Sequence, residues 1–134
     1  MAFVVDNSVV VGWYFESQAT AYTDQVLDRL TGENAHVPGL WVLEFSNVLR
    51  KAKQSEKLDA ERTDEIIELL SGLPIAVDYT PVNITNNLKL AMKYGLSSYD
   101  AAYLELAIRL RLPIATKDDA LAAAATRAGV ERVA

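Results

Sequence analysis

Asp6, Glu44, Asp100 and Asp118 stand where carboxylates are costly or unusual. Each ends an apolar run, opens a helix or interrupts an apolar stripe. A single acid so placed reads as a helix cap. Four, spread along a chain whose pattern alternates strand and helix, point to convergence on one site. The natural occupant of an all-carboxylate site is a hard divalent cation such as Mg²⁺, which takes oxygen ligands.

Each acid also has a plain structural explanation. Asp6 follows a buried strand and is well placed to cap a helix starting near Ser8. Ser97-x-x-Asp100 has the form of a capping box, which would leave one Asp100 oxygen free. Asp118 caps a final helix as readily as Asp119 does, and spacing alone does not choose between them. Glu44 is the acid a cap does not explain. It lies three residues after Trp41 and four before Val48, inside the apolar stripe of its helix. A carboxylate there must reach solvent, find a partner or bind a cation, because unpaired burial costs several kcal/mol.

Other chemistry-bearing residues are sparse. His36 is the single histidine and sits between apolar residues, which favours a structural role. There is no cysteine, so disulfides, thiolate metal sites and cysteine nucleophiles are excluded. No glycine-rich phosphate loop is present. Trp13 and Trp41 suit core or interface packing.

The elements that must position the acids can be read from periodicity. Phe3-Val4-Val5, Ala35 to Pro38, Ile75-Ala76-Val77 and Pro113 to Thr116 are short apolar runs without alternation, as expected of strands buried on both faces of a parallel sheet. Between them lie helical patterns: from Ser8 through Phe15, from about Gln18 to Leu30, from Leu40 to about Ser55, and from Ala60 to Leu70. Two more run from Val82 to Tyr94 and from Ser97 to about Arg111, and a last one from Asp119 to Ala128. Val130 to Val133 is a candidate edge strand. The alternation predicts an α/β fold, a mostly parallel central sheet of four to five strands flanked by helices on both faces. Active sites of such sheets lie beyond the carboxyl ends of the strands, where Asp6 and Asp118 fall.

At 134 residues, about half of them hydrophobic, the chain suits a single compact domain over 1–134. The net charge of −5 argues against a general nucleic-acid coat, but not against a nuclease whose acids hold a cation. Basic residues cluster locally, among them Arg50, Lys51, Lys53 and Lys57. The N-terminus lacks signal-peptide features, and no apolar run approaches the roughly 20 residues that span a bilayer. A soluble, cytoplasmic protein without membrane contact is expected.

Several segments resemble a known family. Phe3-Val4-Val5-Asp6-Asn7-Ser8-Val9-Val10 looks like the opening strand and first acid of a PIN domain. Val42 to Leu49 resembles its second acidic motif, a glutamate inside a helix. Ser97-Ser98-Tyr99-Asp100-Ala101-Ala102-Tyr103-Leu104-Glu105-Leu106-Ala107 is similar to the third motif and is the most specific. Leu112 to Asp118 resembles the Thr-x-Asp motif, which selects Asp118 over Asp119. The small size is similar to that of the VapC toxins of prokaryotic toxin–antitoxin pairs. Two positions depart slightly: Asn7 follows the first acid, and Asp119 puts an acid where a basic residue is common.

The resemblance implies a Mg²⁺- or Mn²⁺-dependent endoribonuclease with Asp6, Glu44, Asp100 and Asp118 as catalytic and metal-holding residues. Ser8 and Thr116 would orient carboxylates or the scissile phosphate, and Lys51 and Lys53 would hold flanking phosphates. It also implies an RNA substrate, a homodimer and a cognate VapB-type antitoxin. Two other classes compete. A phosphoacceptor receiver domain shares the size and acidic Mg²⁺ chemistry, but needs paired acids after the first strand and an acceptor after the middle one, for which Asp78 is the one candidate. A catalytically silent PIN-like binding protein is opposed by the complete acid set.

Overall fold

The computed structural model describes residues 1–134. Four strands, β1 (Ala2–Val5), β2 (Asn34–Pro38), β3 (Ile75–Asp78) and β4 (Ile114–Ala115), form one sheet in the order β3-β2-β1-β4. Every pairing is parallel. The apolar runs of β1, β2 and β4 are thus covered on both faces, with Phe3, Val4, Val5, Ala35, Val37, Ile114 and Ala115 fully buried, whereas β3, at the sheet edge, is half-buried with Ala76 exposed.

Seven helices connect and flank the strands. Between β1 and β2 come α1 (Asn7–Tyr14), a 3₁₀ turn and α2 (Ala21–Arg29). Between β2 and β3 come α3 (Leu40–Gln54) and α4 (Ala60–Ser71). Then α5 (Ile84–Tyr94) and α6 (Ser98–Leu110) lead to β4, and α7 (Asp119–Arg127) follows it. The Thr20 hydroxyl caps α2 in a reciprocal box with Thr23, Asp59 caps α4 and Asn83 caps α5. Gly95, at φ +66°, takes the left-handed position that ends α5, which a Cβ would strain. Gly12 serves a different need. It lets α1 approach α2 so closely that a Cβ there would stand 2.6 Å from Thr23 Cγ2.

Strand order explains where a site must lie. From β1 the chain adds β2 and then β3 on one side, and returns to place β4 on the other. The connections therefore diverge between β1 and β4, opening a crevice at their carboxyl ends. Asp6 follows β1 and Thr116 follows β4 at that point. α6 packs over β1 and β2 and against α5 and α7, so its first turn reaches the same edge.

The sheet has four strands, and the candidate edge strand at Val130 to Val133 adds no fifth. Val130 to Val133 makes a single parallel bridge, Ile114 to Arg132, because β4 itself is only two residues long and offers no further rungs. No helix is long and apolar enough to cross a membrane.

Candidate active site

Asp6 occupies the N-cap position of α1, yet its side chain makes no cap hydrogen bond. The carboxylate, 6% exposed, instead accepts at Oδ2 from the Ser8 hydroxyl and from the Thr116 hydroxyl, each at 2.8 Å. The same two hydroxyls tie down the segment after β4. Ser8 Oγ accepts the Lys117 backbone N–H at 3.1 Å, and Thr116 Oγ1 accepts that of Asp118 at 3.0 Å. Two short hydroxyl side chains thus bind the first acid to the backbone that carries the fourth.

Asp118 does cap its helix: Oδ1 accepts the Leu121 N–H at 2.9 Å, leaving Oδ2 free of that bond. Asp119 begins α7 and is exposed. The capping box expected at α6 is half present. Ser97 Oγ accepts the Asp100 N–H at 3.1 Å, with no bond returned from the Asp100 carboxylate, which has no hydrogen-bond partner in the protein. The cap is supplied by serine alone, and the acid is left for other work.

Glu44 is half-buried on α3, and Oε1 accepts from the Tyr103 hydroxyl at 2.7 Å. Trp41, Phe45 and Leu49 form the buried stripe around it. Tyr103, fully buried on α6, has no assigned role in the sequence, where it reads as one more position of the helix's apolar face. The signal available was a tyrosine three residues after Asp100, one turn on along the helix.

The four carboxylates feel one another. Burial raises the Asp6 pKa against the pull of the Thr116 and Ser8 hydroxyls, and Asp118 raises it further. Burial raises Glu44 despite the Tyr103 bond, with Asp6 and Asp100 adding repulsion. Asp100 is pushed up to about 6 by burial and by the charges of Asp6 and Asp118. Carboxyl groups raised by burial and then further by one another mark negative charge that a cation would relieve.

The donor set is hard oxygen throughout, which fits a divalent cation of the Mg²⁺ type. Asn7 Oδ1, next in sequence to Asp6, is also buried with no partner. The spacing is looser than coordination requires, since no three acidic side chains stand together as a finished ligand set. Repulsion among uncompensated carboxylates favours such a separation.

The remaining candidates are placed as follows. Lys51 and Lys53 are exposed in the last turns of α3. Seven residues bring Lys51 back to the Glu44 face of the helix, whereas nine put Lys53 half a turn away. His36 lies in the middle of β2, opposite Val4 and Ala76. Asp78, at the end of β3, is tied by Arg109 at 3.1 and 3.2 Å and held down at about 2 by that guanidinium.

Similar folds occur among solved structures. FitAcB from Neisseria gonorrhoeae matches over 100% of this chain and 97% of its own, with TM-score 0.67 and 18% identity. The Pyrobaculum aerophilum protein PAE2754 matches over 92% and 84%, with TM-score 0.63 and 19% identity. A toxin–antitoxin complex from Klebsiella pneumoniae matches over 87% and 86%, with TM-score 0.62 and 17% identity. At such identities the likeness is one of fold. No curated protein matches the chain. The sequence model of the PIN domain matches residues 3–126, nearly the whole length, and the chain belongs to the PIN domain family.

Proposed function

We propose that this PIN domain is a metal-dependent endoribonuclease and the toxin of a VapBC-type toxin–antitoxin pair. The observation that carries the reading is that Asp6, Glu44, Asp100 and Asp118, from four separate elements, lie near enough at the sheet's switch point for Asp6 and Asp118 to repel Asp100, for Asp118 to repel Asp6, and for Asp6 and Asp100 to repel Glu44. Structural ion pairing does not account for it, because no basic side chain bonds to any of the four.

Asp6, Asp100 and Asp118 would hold Mg²⁺ or Mn²⁺, with Glu44 as a direct or water-mediated ligand. When bound, the cation supplies a water of lowered pKa for in-line attack on a phosphodiester and neutralises charge developing on the phosphate. The chain's own residues do the positioning. Ser8 and Thr116 fix the rotamer of Asp6 and the backbone of Asp118. Tyr103 aims Glu44. Lys51, on the Glu44 face of α3, would take a flanking phosphate of the RNA, and Lys53 a more distant one.

Partners follow from the same reading. A cognate VapB-type antitoxin would cover the acidic crevice, a proposal supported by the fold shared with a toxin–antitoxin complex. A homodimer has a candidate surface on α5, where Ile84, Leu88 and Met92 recur every four residues at 83%, 59% and 76% exposure. Cytoplasmic action suits an RNA substrate.

The receiver reading loses ground at Asp78. The one candidate acceptor lies on edge strand β3, with its carboxylate committed to Arg109. The deciding experiment is cleavage of RNA by antitoxin-free protein with EDTA, then with Mg²⁺ or Mn²⁺ restored. Cleavage should vanish and return. Asp6→Asn or Asp100→Asn protein that cut RNA at the wild-type rate would defeat the assignment.

A further inference from the structure

The residues after α7 hold the active-site strand in a way that the carboxylates alone do not explain. β4 is two residues long. On one side it pairs with β1. On the other the chain's own tail closes on it: Ile114 N–H donates to the Glu131 carbonyl at 2.9 Å, and Val133 N–H to the Ile114 carbonyl at 2.8 Å. The last rung toward β1 is the Asp6 N–H on the Ala115 carbonyl at 2.9 Å. Thr116, the next residue, is fully buried, and neither neighbouring backbone supplies a donor to its carbonyl.

Arg132 supplies it. Nε and Nη2 both donate to the Thr116 carbonyl, at 3.3 and 3.0 Å. The guanidinium lies 4.0 Å from the centroid of the Tyr22 ring, and the Tyr22 hydroxyl donates to the Val133 carbonyl at 2.8 Å. An aromatic ring on α2, a guanidinium and the tail backbone therefore close on one carbonyl. Only arginine fits this place fully, since its planar fork places two donors on one oxygen while its face stacks on a ring.

The residue so held is the one whose hydroxyl donates to Asp6 and accepts the N–H of Asp118. Arg132 bonds to none of the four acids, and its contact with the site is the Thr116 carbonyl. We propose that Arg132, stacked on Tyr22, is a positioning residue that sets Thr116 and, through it, the presentation of Asp6 and Asp118 to a divalent cation. This rests on the metal-dependent reading above. Outer partners of metal-holding groups commonly change affinity by about 10- to 100-fold when lost.

The test is Mn²⁺ binding by titration calorimetry, with a thermal melt of each metal-free protein alongside. Four proteins are compared: wild type, Arg132→Ala, Arg132→Lys and Ile66→Val. The last removes core volume on α4, a helix that supplies no residue to the clamp. Arg132→Ala should weaken Mn²⁺ binding about tenfold. Arg132→Lys, with one donor nitrogen in place of the fork, should weaken it about threefold. Ile66→Val should melt lower yet bind Mn²⁺ as wild type does. The proposal is overturned if Arg132→Ala binds Mn²⁺ like wild type, or if Ile66→Val loses as much affinity as Arg132→Ala does. Should Arg132→Ala not fold, Arg132→Lys decides on the same terms. Wild-type protein that binds no Mn²⁺ would instead defeat the metal-dependent reading, and with it this proposal, an outcome distinct from equal binding by wild type and variant.

Discussion

The Tyr103 hydroxyl donates to Glu44 Oε1 at 2.7 Å, joining the helix that carries the second acid to the helix that carries the third. The phenol is fully buried, and burial together with the adjoining Glu44 drives its pKa upward, so it remains a donor throughout the working range of pH. Glu44 is pulled in opposite directions, raised by burial and lowered by this bond.

Tyr103→Phe should therefore act on Glu44. Without the hydroxyl, a half-buried carboxylate loses its one protein donor, at a cost of about 1–2 kcal/mol in stability. The Glu44 carboxyl should titrate higher than in wild type. A thermal melt gives the first quantity and an NMR titration of the side-chain carboxyl the second. An unmoved Glu44 titration would contradict the bond.

Asp100→Asn should stabilise the metal-free protein at neutral pH while abolishing cleavage. The Asp100 pKa is raised to about 6 in the fold, against 3.8 for the free side chain. Between those values the folded state holds a proton that the unfolded state has lost, so stability falls as pH rises from about 4 to 6. For a carboxyl still partly in water the gain at pH 7 is about 1 kcal/mol, or a few degrees of melting temperature. The gain should vanish at pH 4. A variant no more stable than wild type at pH 7 would remove the evidence for repulsion among the acids.

Thr116→Val should weaken Mn²⁺ binding more than it harms the fold. The buried hydroxyl is the strongest of the bonds holding the Asp6 pKa down, and it also accepts the Asp118 N–H. Its loss should cost about 2 kcal/mol of stability and about tenfold in Mn²⁺ affinity. Thr116→Ser keeps the hydroxyl and should recover most of both. Calorimetry on the two variants separates the hydroxyl from the methyl group, and equal Mn²⁺ affinity in both would count against this role.

Cation binding should strengthen with pH. Asp6, Glu44 and Asp100 all have raised pKa values, and Asp100, at about 6, sets the window in which a cation competes with a proton. Mn²⁺ affinity should rise from pH 5 to pH 7, with protons released on binding. A flat profile across that range would mean that Asp100 is not a ligand.

Gly12→Ala tests the scaffold apart from the chemistry. A methyl group there would meet Thr23 Cγ2 at 2.6 Å and Thr23 Cβ at 2.9 Å, forcing α1 and α2 apart. Overpacking of this kind costs about 1–3 kcal/mol. Chemical denaturation would report it, and an alanine variant as stable as wild type would show that the two helices separate freely.

Much of this protein was legible in its sequence because the signals were local. Apolar runs without alternation marked all four strands, three of them buried and β3 at the half-exposed edge, and Gly95 ended α5 where a left-handed residue was needed. Glu44 betrayed itself by interrupting a helical stripe, a pattern visible within a dozen residues. What stayed hidden depended on partners far along the chain. The sequence left Asp6 as a plausible helix cap, and the fold shows its carboxylate drawn instead to Thr116, 110 residues away. Ser97 and Asp100 promised a reciprocal box, and only the serine took part. Val130 to Val133 looked like a strand, yet two residues of β4 could pair with little of it, and Arg132 became a side-chain rung instead. The sequence determined which acids were available and which elements carried them, since short unbroken apolar runs mark buried strands and a period of 3.6 marks helices. The order of the strands was a tertiary outcome: placing β4 beside β1 rather than beyond β3 is what opened the crevice, and the 2.8 Å bond from the Thr116 hydroxyl, reaching across the chain, holds the first acid there. Such bonds form only where packing has already brought their partners within reach, which no local pattern records.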